Sequence, residues 1–251
     1  MTKTATEKPT KFPAPSRRLR LGFVGGGQGA LIGEIHANAA RLSNRWDVVA
    51  GALSSDPDRA AASGKAWLLA PDRVYSDYRE MARAEAARDD GIDAVAIVTP
   101  NHLHHPVACA FMDAGIDVIS DKPVTTTLDQ ALDLVQRQKQ SGVIFGVTYA
   151  YAAHAMVRQA RAMIAAGQLG EIRQIHVEYF QEWALDLTDQ SDEIAPWRLD
   201  PAKGGDTFTV GDIGTHAEHL ATFVTGKNLT AVRADFHVTG GPKSMEDTAF
   251  M

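Results

Sequence analysis

A glycine-rich turn near the start of the chain has the residue types and spacing of a phosphate-binding site. Gly25, Gly27 and Gln28 lie in this turn, between an apolar run over 19–24 and a helical pattern over 32–42. Glycines let the backbone approach a pyrophosphate, whose charge then faces N–H groups at the helix N-terminus. Because the turn joins a first strand to a first helix, these three residues are predicted to bind a dinucleotide.

The spacing of this turn departs from the common dinucleotide-binding pattern. Two of its glycines fit the first two positions, but the third small residue is either Ala30 or, with a longer turn, Gly33. The alternative interpretation is a plain tight turn between a strand and a helix.

The end of the second predicted strand carries the residues expected to meet the adenosine ribose. An Asp or Glu about 20 residues after the glycines usually binds that ribose. Here Ser54 takes its place, and Arg59 follows five residues later. A small hydroxyl and a cation accommodate a 2′-phosphate, whereas a carboxylate repels it, so the pattern slightly favours NADP over NAD. Asp56, before Pro57, is predicted to be a helix N-cap rather than a ribose ligand.

Histidines gather in two places, which raises the question of a metal site. The groups are His102, His104 and His105 and, later, His216 and His219. Catalytic zinc usually takes three protein ligands, and neither group supplies a clear third. We therefore expect no metal.

Composition and charge exclude several classes of protein. The 251 residues are 45% hydrophobic and 22% charged, as in ordinary globular proteins. Residues 1–20 hold six bases and one acid, whereas the remainder holds 19 bases and 30 acids. The acidic remainder of the chain disfavours nucleic-acid binding. No apolar run approaches the roughly 18 residues of a membrane span. The single cysteine, Cys109, rules out an intramolecular disulfide framework and fits a reducing, cytoplasmic compartment.

Alternating strands and helices must position these residues. Apolar runs predict strands over 19–24, 46–53, 94–99, 117–120 and 143–148. Amphipathic or alanine-rich stretches predict helices over 32–42, 56–67, 78–88, 106–114 and 128–140. Such alternation indicates βαβ units and an α/β fold with a parallel sheet covered on both faces.

The pattern changes after residue 148. A helix is predicted over 156–166, and the alternation over 172–183 suits an antiparallel sheet with one wet face. A loop over 185–205 then leads to a helix over 213–223 and a strand over 231–238.

Four short motifs resemble those of the glucose–fructose oxidoreductase / inositol dehydrogenase (Gfo/Idh/MocA) family. They are TPNHLH at 99–104, DKP at 121–123, LGEI at 169–172 and GDIGTH at 211–216. The resemblance extends from residue 19 to the last residue. It implies a Rossmann dinucleotide-binding domain followed by an open, mostly antiparallel sheet, with the active site in the crevice between them.

The resemblance also implies roles for individual residues. On the nicotinamide side, the cofactor would be lined by Thr99, Pro100, Asn101 and His104. Asp121 stands where the family more often has Glu, and it would contact the nicotinamide ribose. Lys122 would sit between nicotinamide and substrate and contact both. Asp212 would bind substrate, and His216 would be the catalytic histidine.

Elementary chemistry agrees with these roles. Oxidising a secondary alcohol requires a hydride acceptor and a group that takes the hydroxyl proton, a task that suits His216. Asp212 lies four residues earlier, so on a helix the two share one face. The Lys122 ammonium would stabilise a developing alkoxide. The alternatives are an N-cap role for Asp212, a satisfied polar role at a domain interface for His216, and an exposed loop position for Lys122.

Aromatic and basic residues after residue 148 are the candidates for holding a substrate. Aromatic rings stack against sugar faces, and guanidinium groups donate hydrogen bonds to hydroxyls. The predicted substrate-binding residues are Tyr149, Trp183, Trp197, Arg198 and Asp212.

The resemblance implies an NAD(P)-dependent oxidoreductase acting on a secondary alcohol of a sugar, inositol or related polyol. The slight preference for NADP comes from Ser54 and Arg59. Two alternatives remain open. One is an enzyme that cleaves glycosidic bonds with a retained NAD, and the other is a non-catalytic, nucleotide-responsive regulatory protein. Homo-oligomers, either dimers or tetramers, are expected to pack through the second domain's sheet.

The length is consistent with two domains, with the second one incomplete. The expected organisation is a disordered tail over 1–18, an NAD(P)-binding domain over 19–148 and a substrate-binding α/β domain over 149–251. The family's second sheet needs several more strands, and residues 245–251 resemble the opening of one. We therefore expect a longer oxidoreductase that is cut short here.

Overall fold

The computed structural model describes residues 16–189 and 196–251, and a five-stranded parallel sheet organises its N-terminal part. The strands are β1 (Leu19–Gly25), β2 (Trp46–Ala52), β3 (Ala94–Val98), β4 (Asp117–Ser120) and β5 (Phe145–Val147). They lie in the order β2–β1–β3–β4–β5, and every neighbouring pair is parallel. β2 lies on one side of β1 and β3 lies on the other, so the strand order changes direction at β1. The topological switch point therefore lies between β1 and β3.

Five helices alternate with these strands. They are α1 (Leu31–Leu42), α2 (Pro57–Ala66), α3 (Tyr78–Ala86), α4 (His104–Asp113) and α5 (Leu128–Ser141). Side chains cap three of them, because Asp56, Asp77 and Thr127 each accept a hydrogen bond from a backbone N–H of the first turn. The predicted N-cap role of Asp56 before Pro57 is thereby confirmed.

The core lies on both faces of the sheet. β3 is buried along its whole length, because successive side chains of a strand point to opposite faces and helices cover both. Val95 and Ile97 pack in one cluster with Phe111 of α4. Ala96 packs in the other with Phe23 of β1. This arrangement confirms the predicted α/β class with a parallel sheet.

The C-terminal part combines helices and one small antiparallel sheet with long irregular segments. Its helices are α6 (Ala155–Ala165), α7 (Pro201–Gly204) and α8 (Thr215–Thr225), and a π-helical turn over Val210–Gly214 runs directly into α8. The sheet pairs β6 (Asp235–His237) with β7 (Thr248–Phe250). The expected antiparallel sheet is therefore present, but it has two short strands.

The strand predicted over 172–183 is wrong for this structure. Residues 171–180 form no helix or strand and, apart from the partly buried Ile172, are exposed. The large side chains of Ile175 and Phe180 are 43% and 86% exposed. A strand needs a neighbour to accept its backbone hydrogen bonds. Within 16–189 and 196–251, the antiparallel strands pair only with each other. The strand predicted over 231–238 likewise shortens to β6.

Two predictions fall partly outside the described residues. Of the tail predicted over 1–18, residues 1–15 lie outside the described residues. Arg17 and Arg18 lie within them and form ion pairs with Asp93 and Asp47, respectively. Of the loop predicted over 185–205, residues 190–195 lie outside the described residues.

Over the two described stretches of the chain, no helix combines the length and apolarity needed to cross a membrane.

Candidate active site

The glycine-rich turn sits at the carboxyl end of β1, beside the switch point. Gly25 and Gly26 adopt φ of +81° and +76°, a left-handed backbone that side-chain-bearing residues rarely adopt. A Cβ on Gly26 would lie 2.7 Å from Cα of Gly33 in α1, so the two backbones are in contact. Of the two candidates for the third small position, the structure places Gly33 there and leaves Ala30 as the residue before the helix.

The turn has the features that a dinucleotide requires. α1 begins without a side-chain cap, so its N-terminus can face an anion. A Cβ on Gly27 would lie 2.6 Å from the Leu53 carbonyl oxygen, and one on Gly25 would lie 2.9 Å from Cγ2 of Thr99 at the end of β3. The Thr99 hydroxyl is buried and has no partner among the described residues. The turn, the helix end and this hydroxyl fit an NAD(P) cofactor across the switch point.

The residues predicted to meet the adenosine ribose lie next to the same turn. Arg59 donates a hydrogen bond from Nη2 to the Gln28 carbonyl at 2.6 Å, which brings a guanidinium from α2 onto the turn. The Gln28 N–H donates to Ser63 Oγ at 3.1 Å. The Ser54 hydroxyl accepts from the backbone N–H of Asp56. A cation and a small hydroxyl therefore flank the edge of the turn.

An ion pair connects the parallel-sheet part of the chain to the C-terminal part. Lys122 follows β4, and its Nζ lies 2.5 Å from Oδ1 of Asp212 and 2.6 Å from the Asp212 carbonyl oxygen. Both side chains are largely buried, with Lys122 14% exposed. The exposed-loop alternative for Lys122 is therefore wrong. The N-cap alternative for Asp212 is also wrong, because neither the π-helical turn nor α8 has a side-chain cap.

His216 lies in the first turn of α8 and is 7% exposed. Its Nδ1 is buried and makes no hydrogen bond to any described residue, so the satisfied-histidine alternative does not hold. Burial and, to a lesser extent, the Lys122 ammonium lower the pKa of His216 to about 4, against the opposing effect of the Asp212 carboxylate. The ring is therefore neutral near pH 7 and can accept a proton.

Neighbouring side chains fix the loop that carries Lys122. Asp121 accepts from the Lys122 N–H at 2.8 Å and from the Thr148 hydroxyl at 2.9 Å. His104 is buried, with its ring nitrogens 2.7 Å from the carbonyl oxygen of Pro123 and 3.0 Å from that of Thr99. Neither nitrogen of His104 is left to contact a cofactor in this structure, and the ring instead ties this loop to the end of β3.

The remaining predicted cofactor residues lie after β3. Pro100 precedes a short 3-10 turn over Asn101–Leu103. The Asn101 amide donates to the Gly204 carbonyl at 2.8 Å, and thereby links this turn to α7. Asn101 is thus a second contact, after Lys122, between the parallel-sheet part and the C-terminal part.

The predicted substrate-binding residues form two groups. Tyr149 stacks on His219 with ring centroids 4.1 Å apart and meets His216 edge-on at 5.7 Å. The other group is built around Arg198, whose guanidinium lies 4.5 Å from the Trp197 ring centroid and 5.8 Å from that of Trp183. The structure thus brings Tyr149 to the histidine and gathers Arg198 with the two indoles.

Tyr151 and Thr148 were not among the predicted site residues. The Tyr151 ring centroid lies 4.5 Å from that of His216, and its hydroxyl is 2.6 Å from the Tyr179 hydroxyl. Thr148 directly follows β5, an edge strand of the sheet, and Tyr151 lies in the 3-10 turn over Ala150–Ala153 shortly after it. Because parallel sheets bind ligands at the carboxyl ends of their strands, the position after β5 could have identified them.

Comparisons with known proteins agree with the fold and the motifs. Residues 19–149 match the GFO_IDH_MocA model, described as an oxidoreductase family with an NAD-binding Rossmann fold, and residues 157–251 match the GFO/IDH/MocA C-terminal domain. An uncharacterised oxidoreductase, YfiI of Bacillus subtilis, is 33% identical over 93% of this chain and 61% of its own length.

Two solved structures are also similar. An oxidoreductase from Sinorhizobium meliloti is 45% identical with a TM-score of 0.81, over 93% of this chain and 59% of its own. An inositol dehydrogenase homologue from Azotobacter vinelandii, complexed with NAD+, is 37% identical with a TM-score of 0.80. The similarity covers 84% of this chain and 54% of the homologue. The chain thus spans 54–61% of the length of these relatives.

Proposed function

The chain belongs to the Gfo/Idh/MocA oxidoreductase family, and from that premise we propose that it transfers a hydride between NAD(P) and a secondary alcohol of a sugar, inositol or related polyol. The observation that carries this proposal is the ion pair of Lys122 and Asp212, formed near a buried and unpaired His216. A neutral imidazole can take the hydroxyl proton, and a cation held by a carboxylate can stabilise the developing alkoxide. The similarity to an inositol dehydrogenase homologue supports a polyol as substrate.

The cofactor would lie across the switch point between β1 and β3. When bound, NAD(P) supplies the hydride acceptor or donor. The pyrophosphate would be held by Gly25, Gly27 and Gln28 at the start of α1. The nicotinamide end would be lined by Thr99, Pro100, Asn101 and Asp121, with His104 behind them holding the loop that carries Lys122.

The protein residues would handle the proton and the charge on oxygen. His216 is neutral, so its free nitrogen takes the hydroxyl proton as the alcohol is oxidised. Lys122 donates to the reacting oxygen and stabilises the negative charge that develops there. Asp212 holds the Lys122 ammonium in place through two contacts and orients a substrate hydroxyl.

The substrate would rest against the aromatic groups on either side of this site. Tyr149 packs on His216 and His219, so its ring is positioned to hold the substrate close to the proton acceptor. Trp183, Trp197 and Arg198 offer stacking surfaces and hydrogen-bond donors for the rest of the ring.

Replacing His216 by alanine tests the proposed function. We expect turnover of inositols and sugars to fall at least a hundredfold, while NAD(P) binding, measured by the protein's fluorescence quenching, stays unchanged. His154→Ala is the matched control, because His154 is exposed at the start of α6. Unchanged turnover in His216→Ala would contradict the role of the histidine.

The low pKa of His216 predicts a specific pH profile. Its neutral form, which oxidation requires, persists down to a pH of about 4, whereas an ordinary histidine protonates near 6.5. We therefore expect kcat/KM for oxidation to show no histidine inflection between pH 7.5 and 5. Cofactor affinity is measured over the same range as the control. A loss of kcat/KM centred near pH 6.5, at constant cofactor affinity, would contradict this environment for His216.

The guanidinium at the glycine turn predicts a preference for NADP. Arg59→Ala should weaken NADP binding about tenfold, since one charge-assisted hydrogen bond to the 2′-phosphate is lost, and leave NAD binding nearly unchanged. Isothermal titration with both cofactors measures the ratio, and Lys65→Ala, exposed on the same helix, is the control. An equal loss of affinity for both cofactors would instead indicate that Arg59 stabilises the glycine turn through its hydrogen bond to Gln28.

The cellular compartment and the oligomeric state are two further features that we propose for the protein. The single cysteine supports a reducing, cytoplasmic compartment. The exposed apolar side chains of Ile175, Val177 and Phe180 support a homo-oligomer packed through this segment. Light scattering on the purified protein measures the number of subunits.

A further inference from the structure

Three potential metal ligands meet between α4 and α5, outside the proposed reaction site. His105 Nε2 lies 2.8 Å from Asp133 Oδ2. Cys109 Sγ, one turn further along α4, lies 3.6 Å from His105 Nε2 and 3.8 Å from Asp133 Oδ2. All three residues are half-buried. No metal was expected from the sequence because neither histidine group has a clear third ligand nearby. Here the third ligand, Asp133, comes from a different helix, 24 residues after the cysteine.

We propose that His105, Cys109 and Asp133 bind one thiophilic divalent cation of the zinc class. Metal–ligand bonds of about 2.3 Å to sulfur and about 2.0–2.2 Å to nitrogen and oxygen place tetrahedral ligand atoms about 3.4–3.6 Å apart. The two distances from the sulfur already match this spacing within about 0.2 Å. Only the nitrogen and the carboxylate oxygen must separate further, by about 0.6 Å.

The chemistry of the donor set favours a borderline or soft ion. Thiolate and imidazole together select Zn²⁺ and similar ions over Mg²⁺ or Ca²⁺, which prefer oxygen ligands. The fourth position would face a groove of about 560 Å³ that His105 and Cys109 line together with Asp113 and three arginines, Arg79, Arg83 and Arg137. A water molecule in this groove would complete the tetrahedron.

Binding must displace protons. His105 now donates its Nε2 hydrogen to Asp133, so this proton must move to Nδ1 before Nε2 can coordinate. The thiol of Cys109 must lose its proton to become a ligand. Burial raises the pKa of the Cys109 thiol, so the ion competes with a tightly held proton and should bind more strongly as the pH rises.

Arg137 is the main competitor for the site. Its Nε donates to the same Oδ2 of Asp133 at 2.8 Å, and its Nη1 lies 3.3 Å from Asp113. A cation at this distance repels a metal ion and occupies the lone pair that the ion needs. Removing the Arg137 guanidinium should therefore tighten metal binding. If these residues formed only a structural salt bridge, there would be no metal affinity for Arg137 to change.

Cobalt titration of the metal-stripped protein tests the proposal. Zn²⁺ is spectroscopically silent, but Co²⁺ bound to a thiolate gives an intense charge-transfer absorption. Because the chain has a single cysteine, this absorption can arise only from Cys109. We expect it to saturate at one equivalent of Co²⁺ and to disappear on addition of Zn²⁺. Cys109→Ser should abolish it, and Asp129→Asn, an exposed carboxylate on α5, should leave it unchanged.

Two further variants distinguish a built site from a reactive thiol. His105→Ala should weaken Co²⁺ binding at least tenfold, and Arg137→Gln should strengthen it severalfold. No thiolate absorption, or an absorption whose midpoint neither variant moves, would overturn the proposal. NAD(P) binding by each variant reports that the fold is intact. The proposed reaction does not use Cys109, so failure here leaves the proposed function untouched.

Discussion

Replacing Lys122 by methionine should lower kcat for alcohol oxidation by about 10²–10³-fold, the usual cost of removing one donor from a developing oxyanion. Methionine keeps the length of the side chain but removes the ammonium that contacts Asp212 at 2.5 Å. Cofactor binding should change by no more than a few-fold, because in the proposed site the glycine turn holds the pyrophosphate. Steady-state kinetics with a polyol substrate and titration with NAD(P) measure the two effects separately.

Lys139→Met is the matched control, because Lys139 is exposed near the end of α5. The variant should also change the pH profile. Since the Lys122 ammonium helps to lower the pKa of His216, its removal should move the acidic inflection upwards from about 4. A higher KM with an unchanged kcat would show that Lys122 only binds substrate, and would contradict its role in the transition state.

The second large effect concerns stability. Glu85 of α3 is 1% exposed and accepts from Arg73, which is 6% exposed, and from the Tyr75 hydroxyl at 2.9 Å. Glu85→Ala leaves the buried Arg73 guanidinium with the exposed Asp90, 3.7 Å away, as its remaining carboxylate partner among the described residues, which should cost about 3 kcal/mol of unfolding free energy. Urea unfolding followed by circular dichroism measures this change.

Asp89→Ala, just after the same helix, removes an exposed carboxylate and should cost less than about 0.5 kcal/mol. The double variant with Arg73 and Glu85 both replaced by leucine should recover much of the loss, because no unpaired charge remains buried. A loss below about 1 kcal/mol in Glu85→Ala would contradict the buried pair as the cause.

Local patterns were sufficient to predict most of the parallel-sheet part. Strand β3 is a continuous apolar run because both of its faces are buried, and such runs are visible in the sequence. The N-cap role of Asp56 depends only on the residues next to it, and it was predicted correctly. The choice between Ala30 and Gly33 was left open, because only the approach of α1 to Gly26 decides it.

Features that depend on distant residues were beyond the sequence patterns. The strand predicted over 172–183 has the right alternation, but alternation does not supply the neighbour that a strand needs. The partner of Asp212 comes from 90 residues earlier, and Asp133 joins His105 from another helix. The family motifs predicted that Lys122, Asp212 and His216 lie in one site. Without those motifs, a helix cap was the preferred interpretation of Asp212.

Direct hydride transfer is the central claim, and a deuterium label tests it most directly. The substrate is a polyol deuterated at the reacting carbon, incubated with the protein and NAD(P). We predict one deuterium on the nicotinamide ring and one reduced nicotinamide for each ketone formed. Substrate consumption without net reduced nicotinamide would contradict this claim and favour cleavage of a glycosidic bond with a retained cofactor. Tight cofactor binding without turnover of any sugar or polyol would contradict it in favour of a regulatory protein.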